Sequence, residues 1–242
     1  MTILTLHLSI SILVSCHFES SPVATFSIVG SDPDTGELGV AVQSKIVAVG
    51  AVVPWARAGI GAVATQSFAN VSYGQKGLEL LNKGKSPKEV IELLTKDDAA
   101  KAYRQVGVLA SNGNAANFTG NKCMKWAGGI SGKNFTVQGN ILANENVISE
   151  MAKSFIESNG KAPLAQRLIN ALKAGQLAGG DKRGRQSASL LVVKENWGYG
   201  GNNDRFRDLR VDDHQTPIEE LQRVYDKHIK LFPRPKKYEL KK

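Results

Sequence analysis

The clearest pattern near the start of the chain is an alternation of apolar and polar positions over two short runs. These runs are TFSIVGSD, residues 25–32, and LGVAVQS, residues 38–44, and the intervening PDTGE offers Pro, Asp and Gly for a turn. Alternation with a period of two places apolar side chains on one face of a strand, so the pattern predicts a β-hairpin. Two segments rich in small and β-branched residues, 47–55 and 59–68, predict further strands, with Pro54 at an edge or a bend.

A helical period replaces this alternation in five segments. The predicted helices cover residues 73–84, 86–98, 144–158, 162–176 and 216–229. Ser86 and Glu89 predict a capping box at the second helix, and Thr216 and Glu219 predict another at the last. Between the helices, strands are predicted over residues 103–111, 115–120, 134–142 and 187–193.

The order of these elements predicts the fold class. Blocks of strands separated by paired helices do not alternate as βαβ units do. We therefore predict an α+β fold, a four-layer α/β/β/α sandwich of two antiparallel sheets with helices outside. The expected organisation is one domain over residues 25–230, between a leader at 1–24 and a basic tail at 231–242.

The leader contains an apolar run, residues 3–16, that is too short for a transmembrane helix of about 20 residues. Its length suits the apolar part of a secretory signal, although no Lys or Arg precedes residue 45. Cleavage after Ala24 would make Thr25 the new N-terminus. The sequence before Cys16 also resembles a lipobox, and cleavage there would leave Thr25 internal. Both routes predict export, to a periplasmic, secreted or lipid-anchored location, with membrane contact only through a lipid on Cys16.

Charge and composition narrow the possible functions. Of the net charge of +9, +6 belongs to residues 227–242, which hold seven Lys or Arg and one Glu. A basic end after a folded domain is usually solvated, and no basic face interleaved with aromatic residues accompanies it, so we expect no nucleic-acid partner. With two cysteines and four histidines, of which His7 and His17 lie in or beside the leader, neither a disulfide framework nor a metal site is predicted.

Two glycine motifs resemble nucleotide-binding loops but lack essential parts. Residues 59–64 match the dinucleotide pattern, yet a strand rather than a helix is predicted to follow. Gly179 and Gly184 have P-loop spacing, but Arg185 and Gln186 occupy the positions of the Lys and the Ser or Thr. No cofactor is therefore expected.

Several polar and charged residues stand out against this background. The loop AGGDKRGRQSA, residues 178–188, is either a solvated turn or a loop whose guanidinium groups hold a carboxylate. Asp212, Asp213 and His214 could offer a carboxylate and a base, or simply precede a helix. Polar side chains also interrupt the apolar strands, and they would form a polar site if they met at one end of the sheets: Gln43, Ser44, Lys45, Arg57, Gln138 and Asn140.

Several blocks, in order, resemble one protein family. They include TFSIVGSDPDTGELGVAVQSK, VGAVVPWARAGIGAVATQSFAN, YGQKGLELL, RQVGVL, VQGNIL, AGGDKRGRQSA and RVDDH. The chain from residue 25 to about residue 228 thereby resembles the bacterial and archaeal family catalogued as domain of unknown function number 1028. The resemblance implies an N-terminal nucleophile (Ntn) hydrolase fold, and many relatives begin with a threonine at the position of Thr25.

The resemblance implies a hydrolase of C–N amide-like bonds in a small molecule. Thr25 would be the nucleophile, with its own α-amine as base. Lys45 or Arg57 would lower the pKa of that amine, and Asn140 or backbone N–H groups would hold the oxyanion. The residues expected to bind the ligand are Ser44, Gln66, Asn70, Gln138, Asp181, Arg183, Arg185 and Gln186. Self-association into a homo-oligomer is also expected.

The alternative is a protein of the same fold that does no catalysis. It would be an envelope protein that binds a small acidic ligand through Arg57, Arg183 and Arg185, and a lipidated Cys16 would suit it. The two hypotheses differ in one observable feature, because only the hydrolase requires a free amine on Thr25.

Overall fold

The computed structural model describes residues 25–235, which form two antiparallel sheets and five α-helices. The predicted leader, including Cys16 and Ala24, and the last seven residues lie outside the described part. The strands are β1 Thr25–Asp32, β2 Glu37–Ser44, β3 Pro54–Arg57, β4 Gly61–Ser67, β5 Arg104–Ala110, β6 Ala115–Thr119, β7 Gly128–Gly132, β8 Phe135–Asn140, β9 Ser187–Val193 and β10 Arg205–Val211. The helices are α1 Ser72–Asn82, α2 Pro87–Thr95, α3 Asn146–Glu157, α4 Leu164–Leu177 and α5 Pro217–Leu231.

The larger sheet has six strands in the order β10-β9-β2-β1-β8-β7, so the first strand lies near its centre. The predicted hairpin pairs Asp32 with Glu37 at the turn and Thr25 with Ser44 at the open end. On its other side, β1 pairs with β8, which places Asn140 opposite Thr25. Two strands thus bring polar residues to either side of Thr25.

The smaller sheet has four strands in the order β3-β4-β5-β6. Strand alternation divides the apolar side chains of both sheets between two faces. Val29, Val40 and Leu109 are buried together between the sheets. Phe26 and Ile28, which point the other way from β1, are buried in a cluster with residues of α3 and α4.

The helices cover the outer face of each sheet. Val63 and Val106 of the smaller sheet are buried against α1 and α2. The larger sheet buries its outer side chains against α3, α4 and α5, with Met151, Leu168 and Leu221 in the same cluster. The helix segments and most of the strands predicted from periodicity are confirmed.

The predicted strand over residues 47–55 is wrong. Residues 49–51 form a 3-10 turn, and a strand begins only at Pro54. This segment carries the chain from β2 of one sheet to β3 of the other, so it cannot follow either ladder. Its Val49 and Val53 are still buried between the sheets, which explains the apolar pattern that predicted a strand.

Two edge strands, β7 and β10, were not predicted. Strand β7 is GGISG and none of its residues is buried, so it gives almost no apolar signal. Strand β10 is RFRDLRV, and a register shift between Arg205 and Arg207 interrupts its alternation. Such bulges place two residues opposite one and break the period on which prediction depends.

Only one of the two predicted capping boxes forms. The Ser86 hydroxyl accepts from the Glu89 backbone N–H, and the Glu89 carboxylate accepts from the Ser86 backbone N–H. At α5 the Thr216 side chain makes no cap hydrogen bond, so the second predicted box is wrong. The His214 imidazole instead lies 3.3 Å from Thr216 Oγ1 and accepts from the Thr216 backbone N–H at 3.0 Å.

None of the helices within residues 25–235 combines the length and the apolar character needed to cross a bilayer. In the same part of the chain, no three His, Cys, Asp or Glu side chains are grouped as metal ligands would be.

Candidate functional site

Thr25 is the first residue of β1, and its side chain points between the two sheets. It shares a strand face with Ser27 and Val29, and Thr25 is fully buried. Its Oγ1 donates to Ser44 Oγ at 3.2 Å, across the β1–β2 pair. The strand register therefore brings together two hydroxyls that lie 19 residues apart in the chain.

Gln66, from the smaller sheet, connects Thr25 to a network of buried amides. Its Nε2 donates to the backbone carbonyl of Thr25 at 3.4 Å and to Gln105 Oε1 at 2.8 Å. Its Oε1 accepts from Ser27 Oγ at 2.6 Å. These contacts cross the space between the sheets, where a polar group without a partner would be strongly disfavoured.

The remaining amides of this network come from β5 and β8. Asn140 Nδ2 donates to Gln105 Oε1 at 3.0 Å, and Gln105 Nε2 donates to the Gly139 carbonyl at 2.7 Å. Gln138 Nε2 donates to Ser27 Oγ at 2.6 Å. Polar residues that the sequence placed on separate strands therefore meet at one end of the two sheets.

Two residues that belong to the network, Ser27 and Gln105, were missed by sequence reasoning. The signal that could have identified Gln105 is its position in β5. It lies four residues from the inward-facing Leu109, so strand alternation places both on the same face. Strand alternation also explains why Gln43 is absent from the network. Gln43 is buried on the opposite face of β2 from Ser44, and Ser44 is the residue that contacts Thr25.

Backbone conformations of high energy lie directly beside this network. Ser67, which follows Gln66, has φ 66°, and Ile141, which follows Asn140, has φ 53°. A β-branched residue at positive φ is a genuine outlier, and such residues cluster at functional sites. Ser67 is the last residue of β4 and Ile141 directly follows β8, both at the end where Thr25 lies.

The loop of residues 178–188 is held at the same end of the larger sheet by Asp181. This carboxylate is buried and accepts from the Lys45 backbone N–H at 3.2 Å. It also accepts from the backbone N–H and the guanidinium of Arg183, at 2.9 and 3.1 Å. Asp181 and Arg183 thus organise this loop, which supports the end of β2 beside Ser44.

A surface cavity of about 440 Å³ lies over this loop. Its lining includes Lys45, Arg185, Gln186 and His214. Lys45 Nζ donates to the Arg185 carbonyl at 3.3 Å, and the backbone N–H of Gln186 donates to the Ser44 carbonyl at 3.0 Å. The cavity is therefore joined to Thr25 through Ser44, whose hydroxyl accepts from Thr25 Oγ1.

The segment with Asp212, Asp213 and His214 lies against the same loop. Gln186 Nε2 donates to Asp213 Oδ1 at 3.2 Å, and the His214 backbone N–H donates to the Gln186 carbonyl at 2.8 Å. These contacts bring two loops together that the sequence had identified separately.

Two predicted site residues, Arg57 and Asn70, belong neither to the amide network nor to the loops beside Thr25. Arg57 is exposed at the end of β3, opposite Gly61, five residues along β4 from Gln66. At about 3.3 Å per residue this separates Arg57 from Gln66 by about 17 Å. Asn70 lies before α1, where its Oδ1 accepts from the backbone N–H and the hydroxyl of Ser72 at 3.1 and 2.8 Å.

The three arginines of the alternative hypothesis do not converge. Arg183 is paired with Asp181, and Arg185 lies 3.5 Å from the carboxylate of Glu219. Arg57 is at the other end of the sheets. A common anion site built from all three is therefore inconsistent with the structure.

Cys123, the cysteine within the described residues, is also placed away from a nucleophilic role. Its thiol is buried and donates to the Arg104 carbonyl at 3.3 Å. Burial raises the pKa of the Cys123 thiol, which disfavours the reactive thiolate.

Comparisons with known proteins agree with the resemblance found in the sequence. The model of a family described as a family of unknown function, DUF1028, matches residues 25–221. The crystal structure of a Silicibacter pomeroyi protein of that family has a TM-score of 0.78 and 31% identity, over 85% of this chain and 86% of that chain. Anbu (ancestral beta-subunit) from Yersinia bercovieri has a TM-score of 0.38 and 12% identity, over 88% of this chain and 99% of that chain, and a likeness so distant carries no argument.

A search of curated proteins finds no match. The family model covers most of the chain and begins at the residue that begins β1. The solved relative matches the described fold over most of both chains. The chain therefore belongs to the DUF1028 family.

Proposed function

We propose that this protein is an exported Ntn-type hydrolase that cleaves C–N amide-like bonds in a small molecule, with Thr25 as its nucleophile. In this proposal the two sheets and their outer helices form the four-layer α/β/β/α sandwich of that fold. The observation that carries it is the position of Thr25, at the start of a central strand with its hydroxyl inside the polar end between the sheets.

The proposed chemistry requires the α-amine of Thr25 to be free. An unperturbed α-amine has a pKa of about 7.7–8.0, so roughly a tenth of it is neutral at pH 7 and can accept the hydroxyl proton, directly or through one water. Thr25 Oγ1 then attacks the amide carbonyl, and the protonated amine returns the proton to the departing nitrogen. A water hydrolyses the resulting ester, which restores the threonine and releases the acid.

Three neighbours support distinct roles in this sequence. The Ser44 hydroxyl oxygen accepts a hydrogen bond from the Thr25 hydroxyl and thereby orients it. The Asn140 amide is opposite Thr25 in the register and could donate to the oxyanion of the tetrahedral intermediate. Lys45 follows Ser44, and its ammonium charge, if turned toward Thr25, would lower the pKa of the amine.

The cavity beside Lys45 supports a small substrate. Its volume of about 440 Å³ is within the ordinary range for small-molecule sites, about 300–1,000 Å³. The cationic side chains of Lys45 and Arg185 in its lining favour a substrate that carries a carboxylate. Arg57 and Asn70 take no part in this proposal, because each is engaged elsewhere or distant.

Cleavage after Ala24 would supply the free amine. The family match begins at Thr25, which supports that residue as the start of the working domain. Cleavage before Cys16 would instead leave the amine of Thr25 in a peptide bond, and the proposed proton transfer could not occur.

The test combines the mature N-terminus with a covalent probe. Mass spectrometry of the exported protein should find Thr25 as the first residue. A β-lactone should acylate the Thr25 hydroxyl, Thr25→Ser should keep part of this reactivity, and Thr25→Ala should lose about 10³-fold or more. The matched control is a chain with one extra glycine before Thr25, which should be unreactive because its Thr25 amine is blocked.

Two outcomes would contradict the proposal. One is an exported protein that begins at Cys16. The other is a Thr25→Ala variant, or a glycine-extended chain, that reacts with the probe or turns over a substrate at the rate of the protein that begins with Thr25.

A further inference from the structure

A second and larger cavity lies at the opposite end of the six-stranded sheet. It has a volume of about 730 Å³ and is formed by the β9–β10 connection, the start of β10 and the end of α5. Strand β2 separates the two ends: Leu38 pairs with Val193 near this cavity, and Ser44 lies six residues farther along. At about 3.3 Å per residue the cavity is about 20 Å from Thr25, so it is not part of the proposed hydrolytic site.

One wall of this cavity carries a buried guanidinium. Arg207 is 2% exposed, and its Nη1 donates to the Phe206 carbonyl at 3.4 Å and lies 3.1 Å from His228 Nδ1. Its guanidinium lies 3.6 Å from the centre of the Phe206 ring, and its Nε has no hydrogen-bond partner within the described part of the chain. A buried charge in this condition is energetically unfavourable unless an anion pairs with it.

Glu37 is the carboxylate that interacts electrostatically with Arg207, but it already forms an ion pair with another arginine. The field of Glu37 reaches Arg207, but Glu37 Oε2 accepts from the guanidinium of Arg234 and from Thr35 Oγ1 at 2.8 Å. Among residues 25–235, no carboxylate forms an ion pair with Arg207. The Arg207 guanidinium can therefore form an ion pair with the anionic group of a bound molecule.

Four aromatic residues also line the cavity, and none of its lining residues carries a carboxylate. Trp197, Tyr199, Phe206 and Phe232 contribute rings, and Tyr199 is 77% exposed at the rim. Arg205 adds a second cation, whose own partner is Asp208 at 2.8 Å. Aromatic walls favour a flat apolar body, and guanidinium groups favour carboxylate or phosphate oxygens.

His228 is suited to remain uncharged beside this guanidinium. Burial and the positive charge of Arg207 lower the pKa of the imidazole, so Nδ1 can accept a hydrogen bond from the guanidinium. A neutral His228 adds no repulsion against Arg207, whose Nη1 lies 3.1 Å from the imidazole Nδ1.

We propose that this cavity binds a small molecule with an aromatic body and an anionic group, a carboxylate or a phosphate, that pairs with Arg207. The aromatic body would lie among Trp197, Tyr199 and Phe232, and Arg205 would contribute from the rim. This inference does not depend on the hydrolase proposal, because no residue is shared between the two sites.

Titration calorimetry with three matched probes tests the proposal on the whole mature chain. The probes are 2-naphthoate, 2-naphthyl phosphate and the uncharged 2-naphthamide. At least one anionic probe should bind about tenfold or more tightly than the amide, since a charge-assisted pair is lost with the amide. The stronger of the two anions then identifies whether the natural ligand is a carboxylate or a phosphate.

Four variants locate the binding. Arg207→Gln should weaken the anionic probe about tenfold or more, with its fold checked by circular dichroism. Because Arg207 is buried, two exposed variants, Arg205→Ala and Tyr199→Ala, give an independent test and should each weaken binding severalfold. Arg210→Ala is the matched control for Arg205→Ala: Arg210 pairs with the same Asp208 but does not line the cavity, so affinity should be unchanged.

The proposal is overturned if neither anionic probe binds or if the amide binds equally well. It is also overturned if Arg205→Ala and Tyr199→Ala both retain the affinity of the unmodified protein.

Discussion

The amide network between the sheets depends on a residue that has no side chain. A Cβ built on Gly107 of β5 would lie 2.1 Å from Gln138 Oε1. The absence of that carbon lets the Gln138 amide cross toward β5 while its Nε2 reaches Ser27. Buried polar networks stabilise a fold only when each member is satisfied, so the space at Gly107 is as important as the amides themselves.

Gly107→Ala should therefore destabilise the protein by about 2 kcal/mol, because overpacking forces the Gln138 side chain from its hydrogen bonds. Urea unfolding followed by circular dichroism would measure this loss. In the double variant Gly107→Ala/Gln138→Ala the clash is removed, so the free-energy change should be smaller than the sum of the two single changes. Additive effects would contradict the proposed contact.

Among the elements, two helix N-termini with similar sequences form different caps. Helix α2 begins with the reciprocal Ser86–Glu89 box, and its hydrogen bonds lower the pKa of the Glu89 carboxyl to about 2. Helix α5 begins with Thr216 and Pro217, but His214 occupies the position near the Thr216 hydroxyl. The contact between loops at His214, which sequence periodicity does not report, decides this difference.

Ser86→Ala should lower the free energy of unfolding by about 1 kcal/mol, since it removes the acceptor for the Glu89 backbone N–H. Thr216→Ala is the matched control and should change stability by less than about 0.5 kcal/mol. Thermal melts of both variants at neutral pH would compare them directly. Equal losses would mean that Thr216 acts as a cap in solution.

At the scale of the whole molecule, the end of the described chain is tied back to the first hairpin. Arg234, beyond α5, donates to the buried carboxylate of Glu37 at the start of β2. Burial raises the pKa of Glu37 above its ordinary 4.5, and the charge of Arg234 opposes that rise. The ion pair thus connects the first hairpin to the segment after α5. It also stabilises the ionised form of Glu37, which burial alone would disfavour.

Arg234→Ala should destabilise the protein by about 3 kcal/mol at neutral pH, because it leaves the ionised Glu37 buried without its cation. Without Arg234 the folded pKa of Glu37 rises further above its unfolded value. The loss should therefore be largest above the folded pKa and should shrink as pH falls toward 4.5, where the neutral carboxyl is favoured in the folded state. Urea midpoints measured from pH 4.5 to 8 would follow this change.

The control for this effect is Arg223→Ala, which breaks an exposed pair with Glu220 on α5 and should change the free energy of unfolding only slightly. A loss at Arg234→Ala that equals the control, or that does not diminish toward low pH, would contradict the role assigned to Glu37. Replacing both partners, as Glu37→Gln/Arg234→Ala, should restore part of the stability.

The sequence by itself determined the strand and helix segments with strong periodicity, the β1–β2 hairpin, the capping box of α2 and the family. It also identified most of the polar residues near Thr25, because amides in apolar strands stand out against their neighbours. These features depend on local spacing, which the chain displays directly.

Only the tertiary structure decided which of those residues meet. Strand pairing placed Ser44 and Asn140 on either side of Thr25, and sheet packing added Gln105 while leaving Arg57 at the far end. The cavity around Arg207 depends on contacts between β10 and α5, and β10 was hidden by a bulge. Contacts between distant segments depend on register and on the approach of whole layers, and neither is contained in the periodicity of any one segment.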